Sequence, residues 1–304
     1  MTAYLVRRVL QAVAVVLLVT LIVFGLIRLA PGTAAAAAVG SGSAHQQFLA
    51  QYLTWLGHVL SGNLGRSTRQ NETVAALLAA SLPRTLVLTG ASTLIALLVA
   101  VPVGLLQAVR RSSPIDHALR VLTYVCYAMP PFVLGSVFIL YFAVDKHFFG
   151  AEGPQAQDIG GFISDPRDLT LPVLTLALVT VAIFARYMRS SALDSLSQEY
   201  VEAARARGGG ERRIVVNHVL RNSLVPVVTL LGLSFPQIVG GALVVETLFN
   251  IPGMGWQIWQ AALNHDFPVT LGFTLVIGVA AALGSLLADV GYAVLDPRVR
   301  NSRP

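Results

Sequence analysis

Leu86-Val-Leu-Thr-Gly-Ala-Ser-Thr-Leu-Ile-Ala-Leu-Leu-Val-Ala-Val-Pro-Val-Gly-Leu-Leu-Gln-Ala-Val109 runs without a single charged side chain. A helix needs about 20 apolar residues to cross about 30 Å of hydrocarbon. Lipid offers the backbone no hydrogen-bond partner, so an apolar run of this length reads as a transmembrane helix. Five further stretches share the pattern: Val9 to Leu29, Leu119 to Val144, Leu169 to Tyr187, Leu224 to Val245 and Val269 to Leu295. The first, led by Arg7-Arg8, exceeds the roughly 7–15 residues of a signal-peptide core, so it reads as an uncleaved signal anchor. The expectation is an all-α membrane protein with six transmembrane helices.

Composition agrees. Of 304 residues, 55% are hydrophobic and 12% charged, and the mean hydropathy is +0.70. A soluble domain carries about 25% charged residues, so this chain has too little polar surface to coat a globule. Disorder requires low hydrophobicity and is excluded as well. Lys146 is the only lysine and no glycine-rich loop precedes it, which excludes a Walker A nucleotide site. The only cysteine, Cys126, lies in an apolar run and reads as a packed thiol. The six histidines show no metal spacing, and no metal site is expected.

The arginines set the orientation. With the N-terminus inside, the inner segments hold Arg7, Arg8, Arg110, Arg111, Arg120, Arg186, Arg189, Arg205, Arg207, Arg212, Arg213, Arg221, Arg298, Arg300 and Arg303. The outer segments hold Arg66, Arg69, Arg84, Lys146 and Arg167, with Arg28 near the outer interface. A bias of roughly three to one puts both termini in the cytoplasm. The arginine excess of this net +6 chain is then a topology signal, and no nucleic-acid partner is expected.

This orientation divides the chain into an N-terminal transmembrane helix (1–30), an extracytoplasmic segment (31–83) and a core domain with five spans (84–304). In the outer segment, Gln47 to Leu60 carries Phe48, Tyr52, Trp55, Leu56 and Val59 at helical spacing. It reads as an amphipathic helix on the membrane surface or against the bundle. Asp145 to Asp168, rich in Gly, Asp and Gln, reads as a flexible outer loop. The longest and most charged inner loop is 189–221. Within it, Ser197 reads as the N-cap of a short helix with Glu199 in its first turn. Arg205 and Arg207 fall in the last turn and Gly208-Gly209-Gly210 stops it. Small residues on one flank (Ala203, Ala204, Ala206) allow close approach, and charges at Glu199, Glu202, Arg205 and Arg207 fix register with a partner. A plain capped helix joining two spans fits the same residues equally well.

Prolines mark bends: Pro130-Pro131 in the third stretch, Pro226 and Pro236 in the fifth. Met129, Pro130 and Pro131 are candidates for a gate. So are Pro252 and Gly253 in the turn-rich Ile251-Pro252-Gly253-Met254-Gly255-Trp256, which also fits an ordinary surface turn. Asp289 falls near the inner interface, suited to pairing with a basic neighbour, and Glu246 near the outer one. No acid or base falls at mid-depth, and the two halves show no repeat. Both points argue against an ion-coupled carrier. A membrane-embedded enzyme lacks its nucleophile–base pair or HExxH motif.

Glu202-Ala203-Ala204, three residues, then Gly208 matches the EAA motif of ABC importer permeases. Asn217-His218-Val219-Leu220-Arg221-Asn222-Ser223-Leu224-Val225-Pro226 resembles its continuation in the dipeptide, oligopeptide and nickel branch. Tyr4-Leu5-Val6-Arg7-Arg8, Ala30-Pro31-Gly32, Gly62-Asn63-Leu64-Gly65-Arg66-Ser67 and Leu82-Pro83-Arg84-Thr85 resemble the B-type permease of that branch. So do Glu246-Thr247-Leu248-Phe249-Asn250-Ile251-Pro252-Gly253-Met254-Gly255, Asp266-Phe267-Pro268 and Leu295-Asp296-Pro297-Arg298-Val299-Arg300. The likeness covers essentially the whole chain. It departs in the outer region, at Thr33 with its alanine run, at Gly62-Asn63 and in a shortened stretch from Thr33 to Gln51.

The resemblance implies a type I ABC importer permease fold in the plasma (inner) membrane, moving dipeptides or oligopeptides inward. It assigns Glu199, Glu202, Ala203, Ala204, Arg205 and Gly208 to a cytoplasmic coupling helix. The implied partners are a second homologous permease, two ATPase subunits or one fused ATPase, an extracytoplasmic substrate-binding protein, the peptide and membrane lipid. No cofactor is expected in this chain; ATP and Mg belong to the ATPase subunits. Import of nickel chelates or another small solute by the same fold remains open. A stand-alone ion-coupled carrier or channel is the alternative from another class.

Overall fold

A computed structural model describes residues 2–29, 44–156 and 158–295. The sequence stretches Thr33 to Gly40 and Asp296 to Arg300, and the side chains of Arg28 and Asp289, lie outside what it describes. Among the described residues the chain is helical, with one isolated antiparallel bridge between Arg66 and Thr73. The helices in order are α1 (Thr2–Leu29), α2 (Ala44–Leu60), α3 (Val74–Val109), α4 (Pro114–Ala128) and α5 (Pro131–Phe138, continued as a π-helix over Ile139–Asp145). Then follow α6 (Ile159–Ile163), α7 (Pro166–Leu196), α8 (Glu199–Ala206) and α9 (Glu211–Ile214, continued as a π-helix over Val215–Leu220). The last five are α10 (Arg221–Leu233), α11 (Phe235–Gly240), α12 (Leu243–Leu248), α13 (Met254–Leu263) and α14 (Phe267–Leu295).

The opening apolar stretch lies inside α3, which starts twelve residues earlier because Thr73 caps it, its hydroxyl accepting from the Ala76 N–H at 3.2 Å. At 36 residues it is about 54 Å long and overruns the hydrocarbon. α3 and α7 are the most extensively packed pair. Ala100 and Ala108 meet Phe184, Ala185, Met188 and Ala192 there, all buried. Small residues let two backbones approach where lipid provides no hydrophobic drive. The opposite side of α3 exposes Leu94 and Leu98, at 59% and 67%, as a lipid-facing helix must. α14 packs against α1, α10 and α11.

Four helical segments among the described residues are long and apolar enough to span, over 74–109, 166–196, 211–248 and 267–288; the pair α4 and α5 makes a fifth if counted as one span. The described apolar part of α1, Val13–Leu26, is shorter than that threshold. The third span bends where its tandem proline was expected to bend it, by a break of 101° between α4 and α5. The reason is tandem proline. Each proline pushes the residue before it out of the α region, so Met129 and Pro130 adopt ψ of 122° and 140° before Pro131 starts α5. The fifth stretch is divided too. Ser234 ends α10 ahead of Phe235-Pro236, and Gly241, at φ 86°, separates α11 from α12.

Two elements expected on the outer side are tied down. α2 packs on α1: Tyr52 lies with Phe24 and Leu271 in a small core, and its hydroxyl is 3.0 Å from the Thr20 hydroxyl. Of the two placements open to this helix, the structure takes the one against the bundle. Asp145 to Asp168 does not behave as a free loop in its described part. Gly153 N–H donates to Phe249 O at 2.7 Å, Arg84 donates to Ala156 O at 3.2 Å, and Phe162 of α6 is fully buried. Asp158 caps α6 through the Gly161 N–H (2.9 Å), and that bond holds its carboxyl below the usual range. Motif pieces far apart in sequence also meet: Ser67 donates to Asp266, whose other oxygen accepts the Thr68 N–H at 3.2 Å.

Candidate functional site

α8 is a short helix on the surface between α7 and α9. Gln198, in extended conformation, is its N-cap and gives no side-chain cap bond. The expected cap, Ser197, instead closes α7, donating its hydroxyl to Asp194 O at 2.8 Å. The chain turns one residue later than the Ser preference suggested. Val201 and Ala204 point inward, 0% and 7% exposed, onto the same core as Met188, Ile214 and Val219. Tyr200 reaches Ser195. Glu199, Glu202, Ala203 and Arg205 stand exposed together on the opposite face, with Gly208 just beyond. Of the residues expected to meet a partner, Ala204 is the one turned away from the surface.

The end of α8 is fixed by backbone and charge. Gly208 takes φ 78°, a region open to glycine at no cost, and its N–H donates to Arg205 O at 2.9 Å. The Arg205 guanidinium engages the Glu211 carboxylate at 2.7 and 3.2 Å, which raises its pKa above the usual arginine value. This bidentate pair clamps α8 to α9 across the glycine turn.

Between α3, α5, α7, α11 and α12 lies a cavity of about 360 Å³. Thr89, Ser92, Thr93, Thr180, Ser234 and Gln237 contribute polar groups to its wall, and no charged residue lines it. The Thr89 hydroxyl bridges elements, 2.6 Å from Thr85 O on its own helix and 2.7 Å from Ile238 O on α11. Pro131 is the one gate candidate in the wall, while Met129 and Pro130 form the bend beside it. None of the hydroxyl residues was singled out from sequence. Their signal was present as polar residues recurring at 85, 89, 92 and 93 inside an otherwise apolar span.

Pro252 and Gly253 sit elsewhere, in a loop folded around a buried acid. Glu246 is fully buried; Oε1 accepts the Thr85 hydroxyl at 2.8 Å and Oε2 the Trp256 N–H at 2.9 Å. Thr85 in turn accepts the Met254 N–H at 2.7 Å. A Cβ on Gly253 would lie 2.5 Å from Thr85 Oγ1 and 2.6 Å from the Glu246 carboxyl carbon, so only glycine permits this approach. Neither an exposed turn nor a loop hanging into the cavity describes it. No three His, Cys, Asp or Glu side chains gather as a metal would require among the described residues.

Long packed apolar helices, an exposed charged helix at one end and an uncharged cavity walled by broken helices define a multi-pass membrane transport subunit. The family described as the inner membrane component of binding-protein-dependent transport systems matches residues 100–301, and the chain belongs to it. It is 35% identical, over 98% of its length and 99% of the relative's, to the oligopeptide transport system permease protein AppB of Bacillus subtilis (strain 168). It is 37% identical to a putative peptide permease of Brucella suis biovar 1 (strain 1330), over 99% of each chain. The di/tripeptide transport system permease protein DppB of Pseudomonas aeruginosa (strain UCBPP-PA14) is 31% identical, over 94% of this chain and 95% of the relative.

Proposed function

We propose that the chain is the membrane-spanning permease subunit of an ATP-driven importer of short peptides. The observation that carries the reading is end-to-end likeness to relatives named for oligopeptide, peptide and di/tripeptide transport. The uncharged, hydroxyl-rich cavity supports it. Peptides vary in side-chain charge but share a hydrogen-bonding backbone, which such a wall can accompany without selecting a charge. In this reading the arginine-rich ends of the spans and both termini are cytoplasmic. Glu199, Glu202, Ala203, Arg205 and Gly208 present α8 to an ATPase subunit, and Ala204 seats it on α7. ATP and Mg act in two ATPase subunits, or one fused ATPase. A second permease completes the pathway, and an extracytoplasmic binding protein delivers the peptide. Closure of the ATPases would move α8 and with it the α3–α7 pair, rocking access from one side to the other. Pro131 belongs to the moving wall; Pro252 and Gly253 brace its outer end.

The test is uptake of a labelled tripeptide by cells carrying the chain as their only copy. Glu202→Lys, on an exposed position, is expected to abolish uptake while membrane insertion and thermal stability stay unchanged. Gly208→Pro, which cannot adopt φ 78°, is expected to abolish uptake with membrane insertion intact, at some cost in thermal stability. Uptake surviving both changes would sink the coupling assignment. Competition by nickel chelates but not by unlabelled peptides would sink the peptide assignment while sparing the coupling one.

A further inference from the structure

A second cavity, of about 210 Å³, lies between the ends of α3, α4 and α7 that carry the arginines. Gln107, Arg120, Tyr124, Tyr127, Arg186 and Arg189 line it. Its charged lining consists of arginines, which only donate. Gln107 is 1% exposed and its Nε2 has no hydrogen-bond partner; the buried Nε of Arg120 has none either. The carboxylate of Asp116, fully buried at the start of α4, is already engaged by Arg120 at 3.1 Å and by Arg189 at 3.2 Å. It also accepts the Ser112 N–H at 3.0 Å. Arg186 lies over the Tyr127 ring at 4.6 Å, and a stacked guanidinium keeps its N–H edge available for an anion. Three guanidinium groups line the cavity and Asp116 engages two of them, an excess of two positive charges beside a buried amide nitrogen that lacks an acceptor. Buried donors are ordinarily satisfied, and unsatisfied ones call for an explanation.

We propose that this cavity holds one phosphate group, that of an anionic phospholipid whose headgroup reaches in from the adjoining leaflet. The chemistry required is a tetrahedral oxyanion, which accepts from Gln107 Nε2, Arg120 Nε and the Arg186 edge together. A free phosphate has the same chemistry. The lipid is favoured by the outer side of α4, where Val121, Leu122 and Val125 are 62%, 59% and 49% exposed next to the cavity and can carry acyl chains. Basic pockets between membrane helices are recurrent headgroup sites. Neither the peptide reading nor the docking of α8 is needed for this one.

The experiment is thermal unfolding of the detergent-purified, delipidated transporter complex. Its additions are phosphatidylglycerol, monoglucosyl-diacylglycerol with the same chains, and inorganic phosphate at matched ionic strength. Phosphatidylglycerol is expected to raise the Tm saturably, and the uncharged glycolipid and inorganic phosphate are not. Arg186→Ala and Gln107→Met should each shift the half-saturating lipid concentration upward, by about five-fold for the arginine. Arg120 and Arg189 are left intact because they hold Asp116. A shift produced equally by inorganic phosphate overturns the lipid. No shift with any addition, or one that neither variant alters, overturns the site, as when a partner subunit's carboxylate fills the cavity.

Discussion

Thr85 carries more of the architecture at its end of α3 than its size suggests, because one hydroxyl serves two long-range bonds. It donates to Glu246 and accepts from the Met254 N–H, so α3, α12 and the loop into α13 meet at a single oxygen. Thr85→Val keeps the shape and removes the oxygen. It leaves the Met254 N–H buried without its acceptor, at about 1–3 kcal/mol, and takes one hydrogen bond from the buried Glu246 carboxylate. A Tm fall of several degrees is expected for the purified protein, with Thr85→Ser recovering most of it. An unchanged Tm in Thr85→Val would mean that water replaces the hydroxyl. At this scale the sequence was partly legible. The segments bearing Thr85 and Glu246 stood out as motif pieces, and Gly208 announced its positive φ by being glycine. What failed to show was pairing, because the two partners are separated by 161 residues and no local pattern encodes the contact. Ser197 misled for a related reason. Its preference for a cap was satisfied, but by α7.

Helix formation was written in the apolar runs; helix continuity was written in part, since Pro130-Pro131 and Pro236 mark real breaks and Pro226 does not. Pro83, Pro102, Pro172 and Pro226 all lie inside unbroken helices. A lone proline removes one backbone donor and clashes with one carbonyl, which packing from neighbours can absorb. Pro130-Pro131 is different in kind, since each excludes the α region for the residue before it and two consecutive residues are lost to the helix. The bend of 101° should then be proline's doing. Spin labels at the exposed Leu122 and Leu140, in a Cys126→Ser background, test this by electron–electron distance. The bent path places the two backbones about 17 Å apart and a continuous helix about 27 Å, at 1.5 Å per residue. Pro130→Ala with Pro131→Ala is expected to move the distribution toward the longer value. A distribution that stays put would assign the bend to the packing of α5 on α7 and α12.

Over the whole molecule, the arginines sort by end. Arg110 and Arg111 close α3, and Arg120 and Arg189 converge on Asp116, joining α4 to α7 at the same end. Arg205 clamps the α8–α9 turn. This clustering is the three-dimensional form of the charge bias along the sequence from which the orientation was read. The cavity was not legible there, because the hydroxyls that recur along α3 meet Thr180, Ser234 and Gln237 from helices distant in sequence, and no local pattern encodes that meeting. Orientation itself has a clean chemical test in the solitary Lys146. It lies in the segment expected outside, 44% exposed, with its ammonium 2.9 Å from the neighbouring Asp145 carboxylate. A membrane-impermeant amine reagent applied to intact cells, or to spheroplasts if an outer membrane is present, is expected to modify it. Lys146→Arg should abolish labelling, which also separates the side chain from the terminal amine. The ion pair with Asp145 is exposed and weak, worth about 1 kcal/mol or less, so it slows acylation without preventing it. Labelling that appears only after the membrane is permeabilised would invert the topology. It would then place α8, with Glu199 and Glu202, on the side where no ATPase could reach it.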